Sequence, residues 1–210
     1  MTEPGCLLLF TRYPEAGRTK TRLIPLLGAE GAALLQRLLA EKIAIQANIL
    51  AKHSGIPTIV YYCGGNKKKM TAWLGPLSYV SQADGDLGRR MRESFAHTFA
   101  GGAKKAVLIG SDIPEISAVL LVEAFATLDT AKVVLGPSRD GGYYLIGMQT
   151  DTAGELYSLL FENMAWSTPE VFSLTCRRLE HAAIPAAILP TLGDIDIPDD
   201  LPFARAQGLL

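Results

Sequence analysis

A loop rich in basic residues follows the first apolar segment of the chain, and its side chains suit the binding of phosphate groups. Residues 10–23 contain four cations, Arg12, Arg18, Lys20 and Arg22, together with a single acid, Glu15. Arginine holds a phosphate through paired hydrogen bonds, lysine adds a point charge, and a glycine such as Gly17 lets the backbone approach closely. A solvated charged rim with weak salt bridges is the alternative. We favour a polyphosphate site, because the cations lie beside Gly17 and two threonines, one of them Thr21, at one predicted strand end.

A second candidate for chemistry is Asp112, which directly follows an apolar strand predicted over residues 105–110. Pro114 stops the strand from continuing, since proline cannot donate to a sheet ladder. In open α/β sheets, ligands bind beyond the carboxyl ends of the strands, so Asp112 is expected in the same crevice as the basic loop. It could hold a divalent metal on the phosphates. An Asx turn that only stabilises the strand exit is the alternative.

A third candidate for chemistry is a group of acids near the end of the chain. Asp199 and Asp200 fall in the first turn of a predicted helix, where negative charge is favourable, whereas Asp194 and Asp196 have no such structural role. If one of these two met Asp112 at about 4 Å, the repulsion would be about 4 kcal/mol at an effective dielectric of 20. A shared Mg²⁺ or Mn²⁺ would offset it. Spacing alone does not decide whether they meet.

A glycine-rich segment, residues 136–144, offers a further candidate. Gly141 and Gly142 permit positive φ or close approach of a ligand. Arg139 and Asp140 could contact a second substrate, and Tyr144 could stack on a ring. A hairpin-like turn without ligand contacts is an equally good interpretation.

Hydrophobic periodicity predicts strands and helices in alternation. Strands are predicted over residues 6–11, 56–63, 78–82, 105–110, 132–135, 143–148 and 186–189. Helices are predicted over residues 29–53, 67–74, 87–100, 117–128 and 199–207, and one more starts at the capping-box pattern of residues 167–170. This order predicts a mostly parallel sheet covered on both faces, with an antiparallel element added near residues 132–148. We expect a single domain spanning residues 1–210.

Composition narrows the classes of function. The net charge of −1 provides no field for nucleic acid, and 49% hydrophobic with 20% charged residues indicates a globular chain. Three cysteines without metal-site spacing predict free thiols and, with no recognisable signal peptide, a cytoplasmic location. No uninterrupted apolar run approaches 18 residues, so we expect no membrane span. The mean hydropathy of +0.20 permits an apolar homodimer face.

The motifs together resemble a known family. Residues 10–23, 110–114, 136–147, 166–168 and 194–201 occur in the order found in a bacterial family, long a domain of unknown function, that is provisionally assigned to glycosyltransferases of the nucleotide-diphospho-sugar transferase superfamily. The resemblance implies a GT-A-like fold, a three-layer α/β/α sandwich with a mixed, mainly parallel sheet. The chain is also distantly similar to nucleotidyltransferases for molybdenum cofactor and phospholactate.

Carried over to this chain, the resemblance gives roles to individual residues. It implies that the phosphates are held by Arg12, Gly17, Lys20 and Arg22, and the hydroxyl of Thr21 in the same loop adds a further predicted contact. It implies that Asp112 and Asp196 hold Mg²⁺ or Mn²⁺. We predict that Lys20, Arg22 and Asp112 are the catalytic residues. A departure from the family pattern is that no Asp-x-Asp triplet surrounds Asp112.

We therefore predict an enzyme, a transferase that binds a nucleotide-sugar or a nucleoside triphosphate and transfers a glycosyl group to a small acceptor. The alternative is a nucleotidyltransferase that joins a nucleoside triphosphate to a small phosphorylated or carboxylate substrate. The missing Asp-x-Asp triplet and the Lys20–Arg22 loop favour this alternative. A nucleotide-binding module without turnover is the second alternative.

Overall fold

A computed structural model describes residues 4–210, and its centre is one seven-stranded sheet. The strands are β1 (Gly5–Arg12), β2 (Thr58–Cys63), β3 (Ser78–Ser81), β4 (Lys105–Gly110), β5 (Val133–Pro137), β6 (Tyr143–Gln149) and β7 (Ala186–Ile188). Their order is β3-β2-β1-β4-β6-β5-β7, and β6 alone runs antiparallel to its neighbours. The carboxyl ends of the other six strands therefore meet at one edge of the sheet.

Helices cover both faces of the sheet. They are α1 (Ile24–Ser54), α2 (Lys67–Leu74), α3 (Leu87–Ala100), α4 (Ala118–Thr127), α5 (Ala153–Phe161), α6 (Val171–His181) and α7 (Leu201–Ala206). Side chains alternate along β1: Leu7 and Leu9 join the core with α1 and α4, and Leu8 and Phe10 join the core with α3, α5 and α6. A strand buried on both faces reads as a continuous apolar run, which is why β1 and β4 were recognisable from sequence.

The predicted three-layer sandwich with a mixed, mainly parallel sheet is confirmed, and α2, α3 and β4 have the predicted bounds. Three differences concern helices. α5 was not predicted. α6 begins at Val171, and Ser167 has a left-handed φ of 64° that excludes it from a helix. α1 begins at Ile24, although Gly28 (φ 69°, ψ 167°) interrupts it just before the predicted start. The single-domain organisation stays a prediction; one sheet that takes strands from both ends of the chain supports it.

Residues Thr21–Ser54 are long and apolar enough, by length and composition, to cross a membrane, with a mean hydropathy of 1.4 over 18 residues. We did not expect such a segment, because polar residues interrupt its apolar ones. Within the fold, Leu39, Ile43 and Leu50 of α1 are fully buried, as in a core helix of an α/β domain. The absence of a membrane span stays a prediction.

Candidate functional site

A buried polar network joins the carboxyl ends of β1 and β4. The Thr11 hydroxyl donates to Ser111 Oγ at 3.0 Å, and the Gln36 amide of α1 donates to Ser111 Oγ at 3.1 Å and to Thr11 Oγ1 at 3.4 Å. All three side chains are buried. Since buried polar groups are costly unless they are paired, the network fixes the two strand ends and the helix relative to one another. Asp112 follows Ser111 directly and is oriented by this arrangement.

The basic loop turns back so that Lys20 points into this edge. Lys20 has a left-handed backbone (φ 48°, ψ 45°), and its side chain is only 2% exposed. Its Nζ lies 2.9 Å from Asp112 Oδ1 and 3.6 Å from Asp196 Oδ1. Arg22 Nη1 lies 2.8 Å from Asp196 Oδ2. The structure thus brings together four predicted residues from three distant parts of the chain.

Backbone hydrogen bonds bring Asp196 to this place. The N–H of Ile195 donates to the carbonyl of Asp112 at 3.1 Å, which ties the two segments together. The carboxylate of Asp200 accepts from the N–H groups of Asp196 and Ile197, both at 2.8 Å. Asp200 therefore caps these two amides, and its predicted interaction with the helix dipole stays a prediction.

The four side chains form a charge-balanced cluster of two carboxylates, one ammonium and one guanidinium. The contact between Lys20 and Asp112 is an ion pair without hydrogen-bond geometry, so the buried Asp112 Oδ1 accepts no hydrogen bond in the described structure. Such an oxygen suits a hard cation. Within residues 4–210, no group of three or more acidic, histidine or cysteine side chains could hold a metal. Two carboxylates nevertheless fit Mg²⁺, which binds proteins through one or two carboxylates and completes its shell with phosphates and water.

A cavity of 350 Å³ opens at the cluster. Its lining combines Arg12, Lys20 and both carboxylates with an uncharged part that contains Gln82, Leu87 and Met91. Small-molecule sites combine apolar walls with a few convergent polar groups in this way, in volumes of about 300–1,000 Å³. A larger cavity, of 1070 Å³, lies at the amino ends of the strands near Gly5 and Thr58. We place the candidate site at the smaller one, because opposite charges converge there.

Other predicted residues of the basic loop lie further out. Arg12 lines the cavity, and Gly17 has a positive φ of 79° in the exposed part of the loop. Thr21 is exposed. Arg18 is paired with Glu15 at 3.7 Å on the surface. Their roles in phosphate binding stay predictions.

The glycine-rich segment is mostly engaged in its own turn. Asp140 accepts hydrogen bonds from the Gly142 N–H at 2.9 Å and from the Ser138 hydroxyl. A side chain at Gly141 would lie 2.1 Å from a backbone oxygen of the loop before α6. The Arg139 guanidinium lies over the Phe203 ring, 5.4 Å from its centroid. These contacts agree with a hairpin-like turn that holds itself together. Contact of Arg139 and Asp140 with a second substrate stays a prediction.

Tyr144 lines the cavity but is 3% exposed, and its hydroxyl donates to the Pro190 carbonyl at 3.1 Å.

Asp194 does not join the cluster. Burial, and after it the negative charge of Asp140, raises the pKa of its carboxyl to about 6. Tyr143, which precedes Tyr144 in the chain, has a pKa raised by burial, and its buried hydroxyl has no hydrogen-bond partner in the described residues.

One residue of the site, Gln36, was not predicted, and a second, Gln82, had only a weak sequence signal. Gln36 lies in the middle of a helix, where a lone glutamine looks like part of the solvated face, and no spacing rule marks it as buried. Gln82 directly follows β3; its amide donates to the Tyr61 carbonyl at 3.0 Å, and the residue lines the cavity. Its position after a strand, in a loop that opens a helix, gave a weak signal for part of a base or ribose pocket, for which a plain turn was the better interpretation.

Comparison with known proteins agrees with this architecture. Residues 46–168 match the family of uncharacterized proteins conserved in bacteria, DUF2064. A structure provisionally assigned as a nucleotide-diphospho-sugar transferase, from Desulfovibrio desulfuricans G20, is 32% identical with a TM-score of 0.84, over 94% of this chain and 84% of that one. No curated protein matches.

Two more distant structures share the fold alone. CMP:2-keto-3-deoxy-manno-octonic acid synthetase in complex with CTP is 19% identical with a TM-score of 0.58, over 97% of this chain and 98% of that one. Rv0371c from Mycobacterium tuberculosis H37Rv, in complex with manganese, is 18% identical with a TM-score of 0.55, over 96% and 97%. The chain therefore belongs to the DUF2064 family and has the fold of the nucleotide-diphospho-sugar transferases.

Proposed function

We propose that this protein is a transferase that binds a nucleoside polyphosphate or a nucleotide-sugar at the carboxyl edge of its sheet. The observation that carries the proposal is the convergence of Lys20 with Asp112 and Asp196 beside the 350 Å³ cavity. The similarity to the Desulfovibrio structure, and the fold shared with a CTP-bound synthetase, support an enzyme of the transferase class.

In this proposal the phosphates lie over the basic loop. Arg12 binds them from the cavity wall, and Lys20 and Arg22 neutralise the charge that builds up on the departing phosphate group. The uncharged part of the cavity, with Leu87 and Met91, is the place for the base or the ribose. The phosphates then contact basic side chains, and the base or the ribose contacts uncharged ones.

The residues that would hold a divalent metal are Asp112 and Asp196, and the manganese complex of Rv0371c supports Mg²⁺ or Mn²⁺ for this fold. Such an ion, when bound, neutralises phosphate oxygens and stabilises the leaving group. The protein supplies the two carboxylates and keeps them in place through the Ser111 network and the Ile195 hydrogen bond.

Two reactions use such a site. The 32% identical structure favours transfer of a glycosyl group from a nucleotide-sugar. Nucleotidyl transfer is the second candidate, because Lys20 and Arg22 lie directly at the carboxylate pair and no Asp-x-Asp triplet is present. The acceptor is a small molecule in both reactions, and we propose a cytoplasmic location.

The decisive experiment is a thermal-shift screen of nucleoside triphosphates, diphosphates and nucleotide-sugars, each with and without Mn²⁺. Binding to the native state raises the unfolding midpoint by mass action. We expect a metal-dependent rise with one class of nucleotide and its loss in Asp112→Ala. No shift with any nucleotide would overturn the proposal.

The released product then separates the reactions. Nucleotidyl transfer releases pyrophosphate from a triphosphate, whereas glycosyl transfer releases a nucleoside phosphate from a nucleotide-sugar. A nucleotide that binds with metal but yields neither product, with any acceptor from phosphorylated, carboxylate and hydroxyl classes, would indicate a binding module without turnover.

A further inference from the structure

Lys20 occupies an unusual position for a surface-loop lysine. Its side chain is 2% exposed, whereas the two carboxylates that it contacts, Asp112 and Asp196, are each 41% exposed. The ammonium is thus the inner member of the cluster. Its left-handed φ of 48° is rare for a residue with a side chain, so the loop backbone is held in a strained form that directs the lysine inward.

The contacts of Lys20 are electrostatic in kind. Its Nζ lies 2.9 Å from Asp112 Oδ1 but makes no directed hydrogen bond to it, and it lies 3.6 Å from Asp196 Oδ1. A cation that lies near one oxygen of each of two carboxylates takes the position in which Asp112 and Asp196 would hold a divalent metal. Lys20 and a metal ion would therefore compete for the same carboxylate oxygens.

The charge balance has a consequence for metal binding. With Lys20 and Arg22 present, the two carboxylates are already neutralised, so a divalent ion would add two positive charges to a balanced cluster. A polyphosphate brings several negative charges and accepts hydrogen bonds from lysine and arginine. Its arrival would draw both cations toward the phosphates and leave the carboxylates to the metal.

We propose that Lys20 is the resident counter-ion of the carboxylate pair, which keeps divalent metal off Asp112 and Asp196 in the free protein, so that metal binds together with a polyphosphate. This inference rests on the proposed function for the identity of the site. It adds an order of binding, because the free protein binds divalent metal weakly until the anionic substrate is present. By linkage, the metal then increases the affinity for the substrate by the same factor.

The test measures protein-bound Mn²⁺ by equilibrium dialysis, without nucleotide and without turnover. The variants are Lys20→Met, Arg22→Met and the control Lys67→Met, which removes an exposed lysine of α2. We expect Lys20→Met to bind Mn²⁺ alone at least about tenfold more tightly than the wild type, a factor that corresponds to about 1.4 kcal/mol. Arg22→Met should change in the same direction, and Lys67→Met should not change.

Two additions make the result specific. In the double variant Lys20→Met with Asp112→Asn, the gain should disappear, because one carboxylate is gone. In the wild type, inorganic pyrophosphate should increase protein-bound Mn²⁺. Circular dichroism checks that each variant is folded; if Lys20→Met is not, the comparison of Arg22→Met with the wild type decides.

The proposal is overturned if Lys20→Met binds Mn²⁺ no more tightly than the wild type, or if the Lys67→Met control gains equally. If Lys20→Met does not fold, a folded Arg22→Met that binds Mn²⁺ no more tightly than the wild type also overturns the proposal. The outcome for the proposed function is separate. If no protein binds pyrophosphate or nucleotide, yet Lys20→Met gains Mn²⁺, the nucleotide site is wrong while the counter-ion role holds.

Discussion

Replacement of Asp112 by asparagine tests whether the attraction of its carboxylate to Lys20 is stronger than its repulsion from the carboxylate of Asp196. Asparagine keeps the shape but removes the charge that lies 2.9 Å from Lys20 Nζ. Coulomb's law at an effective dielectric of 20 gives about 6 kcal/mol for that pair as an upper bound. Solvent screening of the 41% exposed carboxylate and the remaining pair with Asp196 reduce the loss. We expect a loss in the free energy of unfolding of about 1–2 kcal/mol.

The sign of the change carries the information. If repulsion between the carboxylates dominated, loss of one charge would stabilise the protein. For a chain of this size, each kcal/mol changes the unfolding midpoint by about 2–4 °C, so we expect Asp112→Asn to unfold about 2–8 °C lower. Urea unfolding and calorimetry measure this change, and Glu93→Gln, which removes an exposed acid of α3, is the control. An unchanged or higher midpoint for Asp112→Asn would refute the counter-ion argument.

Three further substitutions test other parts of the structure. Gly88→Ala places a Cβ 2.4 Å from the Phe161 carbonyl oxygen, so the protein should lose about 1–3 kcal/mol in urea unfolding, and unchanged stability would contradict this packing. Gln36→Leu should cost about 1–2 kcal/mol, and a double-mutant cycle with Ser111→Ala should be clearly non-additive; simple additivity would argue against the shared network. The raised pKa of Asp194, about 6 against an ordinary 3.8, means that the folded state holds its proton longer than the unfolded state, so stability falls as pH rises from about 4 to 6. Asp194→Asn should remove this fall and stabilise the protein at pH 7 by about 1 kcal/mol after discount for its partial exposure; the same pH dependence in the variant would show that another group titrates.

The comparison of sequence with structure shows which kinds of information local patterns hold. The apolar run of β4 and the arrest at Pro114 were enough to place Asp112 at a strand end, because such features depend on neighbouring residues. The meeting of Asp112 with Asp196 was not predictable, since it depends on a hydrogen bond from Ile195 across more than eighty residues. The spacing of residues along the chain does not predict that contact.

Burial of single polar residues was equally out of reach. Gln36 has the polar character of a solvent-facing helix position, and only the neighbouring strand ends make it part of a network. α5 was missed because its start offers no clear signal: Thr152 makes no capping hydrogen bond, and Gly154 lies in the first turn. Its stability comes from packing of residues such as Leu156 in the core under α3, and tertiary packing outweighs local propensity in such helices.

Arg139 separates the two interpretations of the glycine-rich segment most directly. Its guanidinium lies over the Phe203 ring and close to Gly193, and it does not line the cavity. Arg139→Met should therefore lower the free energy of unfolding by about 0.5–1 kcal/mol, the contribution of an exposed cation–π contact, and leave the nucleotide-induced thermal shift unchanged. Arg12→Met, at the cavity wall, should behave in the opposite way, with little loss of stability and a smaller nucleotide shift. If Arg139→Met instead lost the nucleotide response at unchanged stability, the turn interpretation would be wrong, and the second substrate would have to reach this segment.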